Sequence, residues 1–312
     1  MKYRFMDREQ QARDHAVWPV VVMCRVLAVH RSGYYAWLDR QRTKQLGKRA
    51  QENRELTIAI GEIHRNSKER YGAPRVTAEL RKQGYTYSRG RVARLMKANA
   101  IKAKGRRAYR VTTRSDHALA SPNLLDRNFT ATAPDQLWSS DMTYIQTREG
   151  WLFVAIVIDL FSRKIVGLAM RKDMKKELVC EALHQALALR NPAPGLLLHS
   201  DRGSQYSSWR YREILRAHGL TQSMSRKGNC WDNAPVESFF KTMKVEEVYR
   251  RSYRTRDDAR RSIFEYIEIF YNRQRLHSTL GYETPEAFEA QSITAAHERN
   301  RCLSNWGKSK SR

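Results

Sequence analysis

A nearly unbroken apolar run, Trp151–Leu160, is the feature that most constrains how this 312-residue chain can fold. The run is rich in β-branched and aromatic residues, which predicts a central strand buried on both faces. It is too short to cross a bilayer as a helix, because a span takes about 20 apolar residues. The polar stretch Met1–Gln11 also lacks the apolar core of a signal peptide. We therefore expect a cytoplasmic protein built around a buried sheet.

Strand and helix patterns alternate around that run. Further strands are predicted at Gln136–Gln146, Arg163–Met170, Leu196–His199 and Leu220–Met224, and helices at Lys175–Leu189, about Ser207–Ala217 and after Pro235. The order is three strands, helix, strand, helix, strand, helix. This order is typical of an α/β core of RNase H-like type, with a mixed five-stranded sheet and flanking helices.

Three carboxylates occupy informative places in this pattern. Asp141 lies in the first strand, Asp201 follows the fourth, and Glu237 lies in the first turn of the helix that Pro235 begins. Adjacent strands bring the two aspartates together, and the packed helix supplies the third acid. Oxygen ligands of this kind suit Mg²⁺, and a pair of such ions activates the attacking oxygen and stabilises the leaving oxygen of a phosphodiester.

Neighbouring residues offer alternatives to this trio. Asp232 is a rival for the third carboxylate, although the helix start at Pro235 favours Glu237. Asp159 is interpreted as a structural acid at a strand end, and His199 as a scaffold residue. The four cysteines are scattered and form no CxxC pair, so neither a disulfide framework nor structural zinc is expected.

Charge points to a polyanionic partner. The formal net charge is +26, and residues 1–127 alone hold 29 Lys and Arg against 11 Asp and Glu. Lys and Arg neutralise phosphates and release counterions, so we expect this basic region to clamp nucleic acid. Membrane-surface binding and a merely basic protein are the alternatives that charge alone leaves open.

The basic region has the outline of two helix-turn-helix-like segments. In the first, a helix at Val20–Leu27 is followed by a turn at Ala28–Gly33 and a second apolar segment at Tyr34–Leu38. In the second, helices are predicted at Glu55–Asn66 and Val76–Lys82. Ser88 then caps a basic helix that presents Arg89, Arg91, Arg94 and Lys97 to a DNA groove. An ordinary helical bundle with a solvated basic face is the alternative.

Several motifs resemble one known family over most of the chain. They are Cys24–Leu27, Gly33–Trp37, Tyr71-Gly72, Trp138–Asp141, His199–Tyr206, Gly228–Phe240 and Tyr271–Pro285. In these motifs the chain resembles the integrase-like DDE transposases of the bacterial IS-three insertion sequences, the product of their second reading frame. It is more distantly similar to retroviral integrases.

The resemblance implies a DDE active site formed by Asp141, Asp201 and Glu237 with two Mg²⁺ or Mn²⁺ ions, and no zinc or nucleotide cofactor. It implies cleavage of the element ends and transfer of the freed 3′-hydroxyl to target DNA. The expected partners are double-stranded DNA, namely the terminal repeats and the target, and further copies of the chain on DNA. Fusion or association with the first-reading-frame product is also implied, and no membrane partner. Such a protein is expected at the bacterial nucleoid.

Further DNA contacts are predicted around the three acids. Lys241 and Lys244 lie four and seven positions after Glu237, on its helical face. Tyr206 and Trp231 are aromatic residues that stack on unpaired bases in this interpretation. Solvated surface charge for the lysines, and core packing for the aromatic residues, are the competing interpretations.

Five segments are predicted in all. They are an N-terminal helical segment (1–50), a second helical DNA-binding domain (51–110), a basic linker (111–132), the catalytic core (133–250) and a C-terminal helical extension with its tail (251–312). Two other functions remain open at this point. One is a metal-dependent nuclease that does not join strands, and the other is a DNA-binding regulator without catalysis.

Overall fold

The computed structural model describes residues 1–11, 18–43, 47–103, 121–226 and 230–294, with the backbone alone at 40, 42–43 and 230–231. The chain divides into two compact units, Met1–Ala103 and Lys104–Arg312. Residues 111–120 of the predicted linker and the tail after 294 lie outside the described residues. No helix in the described ranges is long and apolar enough to cross a bilayer.

The first unit contains helices in every segment described. They are α1 (Lys2–Gln11), α2 (Val20–Val26), α3 (Arg31–Thr43), α4 (Lys48–Asn66), α5 (Ala73–Lys82) and α6 (Arg89–Ala98). The predicted all-α region is confirmed, with two differences in its bounds. Helix α3 begins at Arg31, inside the predicted turn, and α4 begins at Lys48, so the predicted boundary at residue 50 falls within a helix.

Helix α6 has the predicted start. The Ser88 hydroxyl accepts a hydrogen bond from the backbone N–H of Arg91 at 3.3 Å, as an N-cap residue does. Val92 and Met96 are buried, and Leu95 is partly buried. These three residues form the inward face of α6.

The second unit is built on one mixed sheet. Its strands are β1 (Leu137–Thr147), β2 (Gly150–Asp159), β3 (Ile165–Arg171), β4 (Leu197–Ser200) and β5 (Thr221–Met224), in the spatial order β3-β2-β1-β4-β5. β1 pairs antiparallel with β2 and parallel with β4. The run Trp151–Leu160 thus forms an interior strand, but the middle of the sheet is β1. The predicted fold class is confirmed.

Helices cover both faces of this sheet. Helices α7 (Lys176–Arg190) and α8 (Trp209–Ala217) share one apolar cluster with Trp138, Leu198 and Val157. Helix α9 (Ala234–Glu246) contacts β1, and α10 (Arg256–Phe264) contacts β1 and β2. α10 continues as π-helical turns over Glu265–Tyr271, and a last helix, α11, is described over 285–294.

A side-chain amide covers the start of the edge strand β3 by bonding the backbone of Ile165. Asn272 accepts a hydrogen bond from the Ile165 N–H at 2.9 Å and donates one to the Ile165 carbonyl at 3.0 Å. Asn272 is 2% exposed, so this pair of bonds replaces a neighbouring strand away from water. These backbone groups of Ile165 are therefore not available to pair with another strand. Asn272 also ties the C-terminal extension to the core.

We expect Asn272→Ala to destabilise the second unit by about 2–4 kcal/mol, because two buried backbone groups lose their partners. Urea unfolding of the whole chain, followed by tryptophan fluorescence, measures this loss. Gln146→Ala removes an exposed amide from β1 and serves as the control, with an expected change within about 0.5 kcal/mol. Equal stability of the two variants would contradict the covering role of Asn272.

Candidate active site

The register of β1 and β4 brings two predicted acids to the same place. The parallel pairing runs from Leu137 opposite Leu197 to Ser140 opposite Ser200. Asp141 and Asp201 are the next residue on each strand. Side chains at equivalent positions of neighbouring parallel strands emerge on the same face. The two carboxylates therefore lie side by side where β4 ends.

Backbone donors orient both carboxylates. The Met142 N–H donates to Asp141 Oδ1 at 2.7 Å, and the Gly203 N–H donates to Asp201 Oδ1 at 2.9 Å. A Cβ at position 203 would lie 3.0 Å from Asp201 Oδ1, so a larger residue than glycine would have to displace this carboxylate slightly. Each carboxylate keeps one oxygen outside these bonds.

Mutual repulsion marks the acids as a cluster. Burial raises the pKa of Asp141 well above its usual range, and the charges of Asp201 and Glu237 raise it further. Burial also raises the pKa of Asp201. Glu237 reaches solvent, yet partial desolvation of its carboxyl raises its pKa as well. Acids that raise one another's pKa are typical of functional sites.

Asn233 connects the start of α9 to β1. Its Oδ1 accepts a hydrogen bond from the Ser139 hydroxyl at 2.5 Å, and its Nδ2 donates to the Ser140 carbonyl at 3.3 Å. All three residues are buried. Because Asn233 immediately precedes α9, these bonds hold the first turn, and Glu237 with it, next to Asp141.

Asp232 has a structural role. Its carboxylate accepts hydrogen bonds from the Arg226 N–H and guanidinium, from Arg127 Nε at 3.0 Å and from Asn123 Nδ2 at 2.9 Å. The Arg226 hydrogen bonds hold the pKa of Asp232 well below its usual range. Asp232 therefore links three segments of the chain through hydrogen bonds to its carboxylate. The structure does not favour it over Glu237 as the third acid of the site.

Asp159 and His199 are also engaged by the scaffold. Asp159 accepts from the backbone N–H groups of Asp135, Phe161 and Ser162, so it shapes a turn. The His199 ring contacts the hydroxyls of Ser223 and Ser225 at 2.9 and 3.1 Å. Burial lowers the pKa of His199 to about 4, which keeps it neutral at physiological pH.

The two lysines of α9 have different environments. Lys241 is exposed. Lys244 is buried, with its Nζ 5.3 Å from the centre of the Tyr144 ring. Desolvation lowers the pKa of Lys244, and the charge of Asp141 partly opposes this shift. Lys244 is therefore a cation beside the acids rather than a solvated surface charge.

The predicted stacking role of Tyr206 needs correction. Tyr206 is fully buried, packs edge-on against Tyr211 with ring centres 5.3 Å apart, and shares a 3.2 Å hydrogen bond with Ser140. A base cannot reach its ring in this conformation, because the apolar cluster under β1 encloses it. The side chain of Trp231 lies outside the described residues.

The cations predicted on α6 divide into two groups. Arg89, Arg94 and Lys97 are exposed. Arg91 instead contacts Glu52 at 3.1 Å and Asn53 at 2.8 Å, and its guanidinium lies 4.5 Å from the centre of the Tyr87 ring. These contacts hold α6 against α4, so the structure assigns Arg91 to the scaffold of the first unit.

Carboxylate oxygens are concentrated at the site, but they do not surround a single position that a metal ion could occupy. Within the described ranges, no group of three or more His, Cys, Asp and Glu side chains is arranged to hold a metal ion. Asp141 and Asp201 are held in place, whereas Glu237 lies on the exposed side of the first turn of α9. The donor chemistry fits a hard divalent cation, and a cation held by all three acids would require Glu237 to approach the two aspartates.

Sequence reasoning missed Asn233 and the anchoring role of Asp232. Both lie in the polar segment before Pro235, whose composition is typical of a surface loop rather than of a buried scaffold. Asn233 bonds Ser139, and Asp232 bonds Arg127 and Asn123 as well as nearby Arg226. These distant partners lie 94 or more positions away, so no local pattern reveals them. The only available signal was the pair of polar residues directly before a helix start.

Comparison with known proteins agrees with this architecture. Models of the integrase core domain match residues 131–230 and 218–285, and a model of an HTH-like domain matches residues 50–109. The insertion element IS600 uncharacterized 31 kDa protein of Shigella sonnei is 46% identical over 267 residues, which are 85% of this chain and 97% of that protein. Transposase InsF for insertion sequence IS3A of Escherichia coli K12 is 42% identical over 294 residues, 94% of this chain and 100% of that protein.

Solved structures show a more distant likeness. The integrase catalytic core domain of HTLV-2, in complex with magnesium, is 15% identical with a TM-score of 0.40 and covers 51% of this chain and 99% of that one. The core domain of BIV integrase is 17% identical with a TM-score of 0.40, covering 52% of this chain and 99% of that one. Because relatives of nearly the same length are more than 40% identical over most of the sequence, and integrase-core models span the sheet, the chain belongs to the IS-three family of insertion-sequence transposases.

Proposed function

We propose that this transposase cleaves the ends of its insertion element and joins the freed 3′-hydroxyls to target DNA at a site formed by Asp141, Asp201 and Glu237. The observation that supports it most is the register of β1 and β4, which puts two aspartates at adjacent positions. The pKa of Asp141, raised by burial and by the charge of Asp201, and the pKa of Asp201, raised by burial, support the same placement.

Two divalent ions, Mg²⁺ or Mn²⁺, are the cofactors we propose. Asp141 and Asp201 would hold them, with Glu237 completing the ligand set. When bound, such ions activate the attacking oxygen and stabilise the leaving one in an in-line displacement. No nucleotide is required, since the energy of the broken phosphodiester is retained in the new one.

The chain's own residues position the reactants. Asn233 holds the start of α9 against β1, so that Glu237 stays near the aspartates. Lys244 places a cation beside Asp141, and exposed Lys241 lies one turn earlier on α9. Both lysines are suited to the DNA phosphates that flank the reacting bond. Holding the reacting phosphodiester bond next to the three acids would supply much of the rate enhancement.

Duplex DNA is the partner we propose for the first unit. The HTH-like match covers α4, α5 and α6, and the exposed cations of α6 are Arg89, Arg94 and Lys97. The terminal repeats and the target are the expected ligands. Two element ends have to be joined to one target, so we expect several copies of the chain on DNA, with the first-frame product as a further partner.

We expect Glu237→Gln to lower metal-dependent cleavage and joining by at least about a thousandfold, since a lost metal ligand removes several kcal/mol of transition-state stabilisation. The assay uses labelled DNA ends of the element, Mg²⁺ or Mn²⁺, and the intact chain with and without the first-frame product. Glu177→Gln is the matched control, because Glu177 also lies in the first turn of a helix but in α7.

The products separate the alternatives. Joined strands that vanish only in Glu237→Gln support the transposase chemistry. Cleavage that never yields joined strands, even with the first-frame product, would indicate a nuclease. Binding of DNA without any metal-dependent chemistry would indicate a regulator, and both of these outcomes contradict the proposal.

A second prediction concerns stability. The folded-state pKa of Asp141 is raised, so the folded chain binds this proton more tightly than the unfolded chain, and ionisation above the ordinary pKa of 3.8 costs stability. We therefore expect Asp141→Asn to raise the Tm at pH 7 without divalent ions. Each kcal/mol gained raises the Tm by about 2–4 °C in a unit of this size. The gain disappears as the pH falls below about 4.

We expect divalent ions to reverse this difference in Tm between Asp141→Asn and the unaltered chain. Mg²⁺ that binds the folded state raises the Tm of the unaltered chain by mass action, and we expect a much smaller rise for Asp141→Asn. Differential scanning fluorimetry over a Mg²⁺ series measures both effects. Asp257→Asn, which alters an exposed acid of α10, should follow the unaltered chain. A Tm rise of equal size in all three proteins would contradict metal binding at Asp141.

A further inference from the structure

We propose that Tyr144 is the surface on which the base at the 3′ end of the cleaved DNA strand stacks, next to the acids that act on its 3′-oxygen. The inference deepens the proposed function and rests on it. It assigns to Tyr144 the stacking role that the sequence suggested for Tyr206.

Tyr144 is an aromatic residue that the protein leaves open. It is 46% exposed, and Trp151, its diagonal neighbour across β1 and β2, is 45% exposed. The two rings meet edge to face, with centres 4.9 Å apart and planes at 81°. This contact fixes the Tyr144 ring while much of its surface remains in water. A preset aromatic face of this kind is what a base stacks on, whatever its identity.

The edge of β1 beside this ring has no paired strand among the described residues. The pairing of β1 with β4 ends at Ser140, and no strand of the described chain pairs with the same side of β1 between Asp141 and Gln146. Tyr144 lies three residues beyond Asp141, roughly 10 Å along the strand, so the two side chains leave β1 on opposite faces. A nucleotide whose 3′-oxygen lies at Asp141 would therefore have to pass around this unpaired edge of β1 to place its base on the Tyr144 ring, on the side where Lys244 lies close to both residues.

Lys244 connects the ring to the acids. Its Nζ lies 5.3 Å from the Tyr144 ring centre, and its charge acts on Asp141. One cation thus lies close to both the proposed stacking surface and the reacting oxygen, where the phosphate of the same nucleotide would be. An aromatic ring combined with a neighbouring cation is the arrangement by which proteins hold single nucleotides.

The test measures stacking without chemistry. The full chain is mixed with a pre-cleaved element end that carries 2-aminopurine as its 3′-terminal base, in EDTA so that no cleavage occurs. We expect quenching of the 2-aminopurine fluorescence by the unaltered chain and by Tyr144→Phe. Tyr144→Ala should lose the quenching and bind this end about tenfold to a hundredfold more weakly. Tyr249→Ala is the matched control, because Tyr249 is also 46% exposed.

Each outcome decides the proposal. Quenching lost in Tyr144→Ala alone, with an unchanged Tm, supports it. Equal quenching in Tyr144→Ala and the unaltered chain, or no quenching by the unaltered chain, would overturn it. The assay needs no metal, so a failure of the cleavage experiment leaves this result readable. Conversely, active cleavage with no effect at Tyr144 would contradict the stacking role alone.

Discussion

The parallel pairing of β1 with β4 is the constraint on which the candidate site depends. Four register pairs, from Leu137 with Leu197 to Ser140 with Ser200, decide that Asp141 and Asp201 come next to each other. A shift by one residue would turn one of the two acids to the opposite face of the sheet. The register is in turn held by the apolar cluster that includes Trp138 and Leu198, so core packing decides where the charges lie.

Bringing acids together costs stability, and the surrounding structure offsets that cost. The raised pKa values of Asp141 and Asp201 reflect this cost in stability, because the folded chain disfavours their charged forms. Two scaffold acids have cationic partners instead: Asp232 has a depressed pKa and hydrogen bonds from Arg226 and Arg127, and Glu246 pairs with Arg275 Nε and Nη2 at 2.9 Å. Within one unit, Asp232 and Glu246 thus have arginine partners in the fold, whereas Asp141 and Asp201 each accept a backbone N–H, and a bound cation at the proposed site would relieve their repulsion.

Periodicity predicted most of the core, because each strand carries its own apolar pattern. All five strands and helices α7 and α8 lie within a few residues of the expected positions. Long-range polar contacts were beyond such reasoning. Asn272 on Ile165 and Asn233 on Ser139 join residues about 100 positions apart, and neither partner has a local signature. The exposure of Tyr144 could not be predicted from the sequence for a related reason. An aromatic residue in a β-strand is normally buried, and Tyr144 lies on the part of β1 that extends beyond the end of its pairing with β4.

Iron-directed cleavage of the polypeptide would test the central claim, that Asp141, Asp201 and Glu237 together form one divalent-cation site. Fe²⁺ is bound in place of Mg²⁺, ascorbate and peroxide generate hydroxyl radicals, and the cut positions are read by mass spectrometry. The account predicts cuts in three separate stretches, around residues 141, 201 and 237, which excess Mg²⁺ suppresses and Asp201→Asn abolishes together. Cuts at one stretch only, or cuts that persist unchanged in Asp201→Asn, would contradict it.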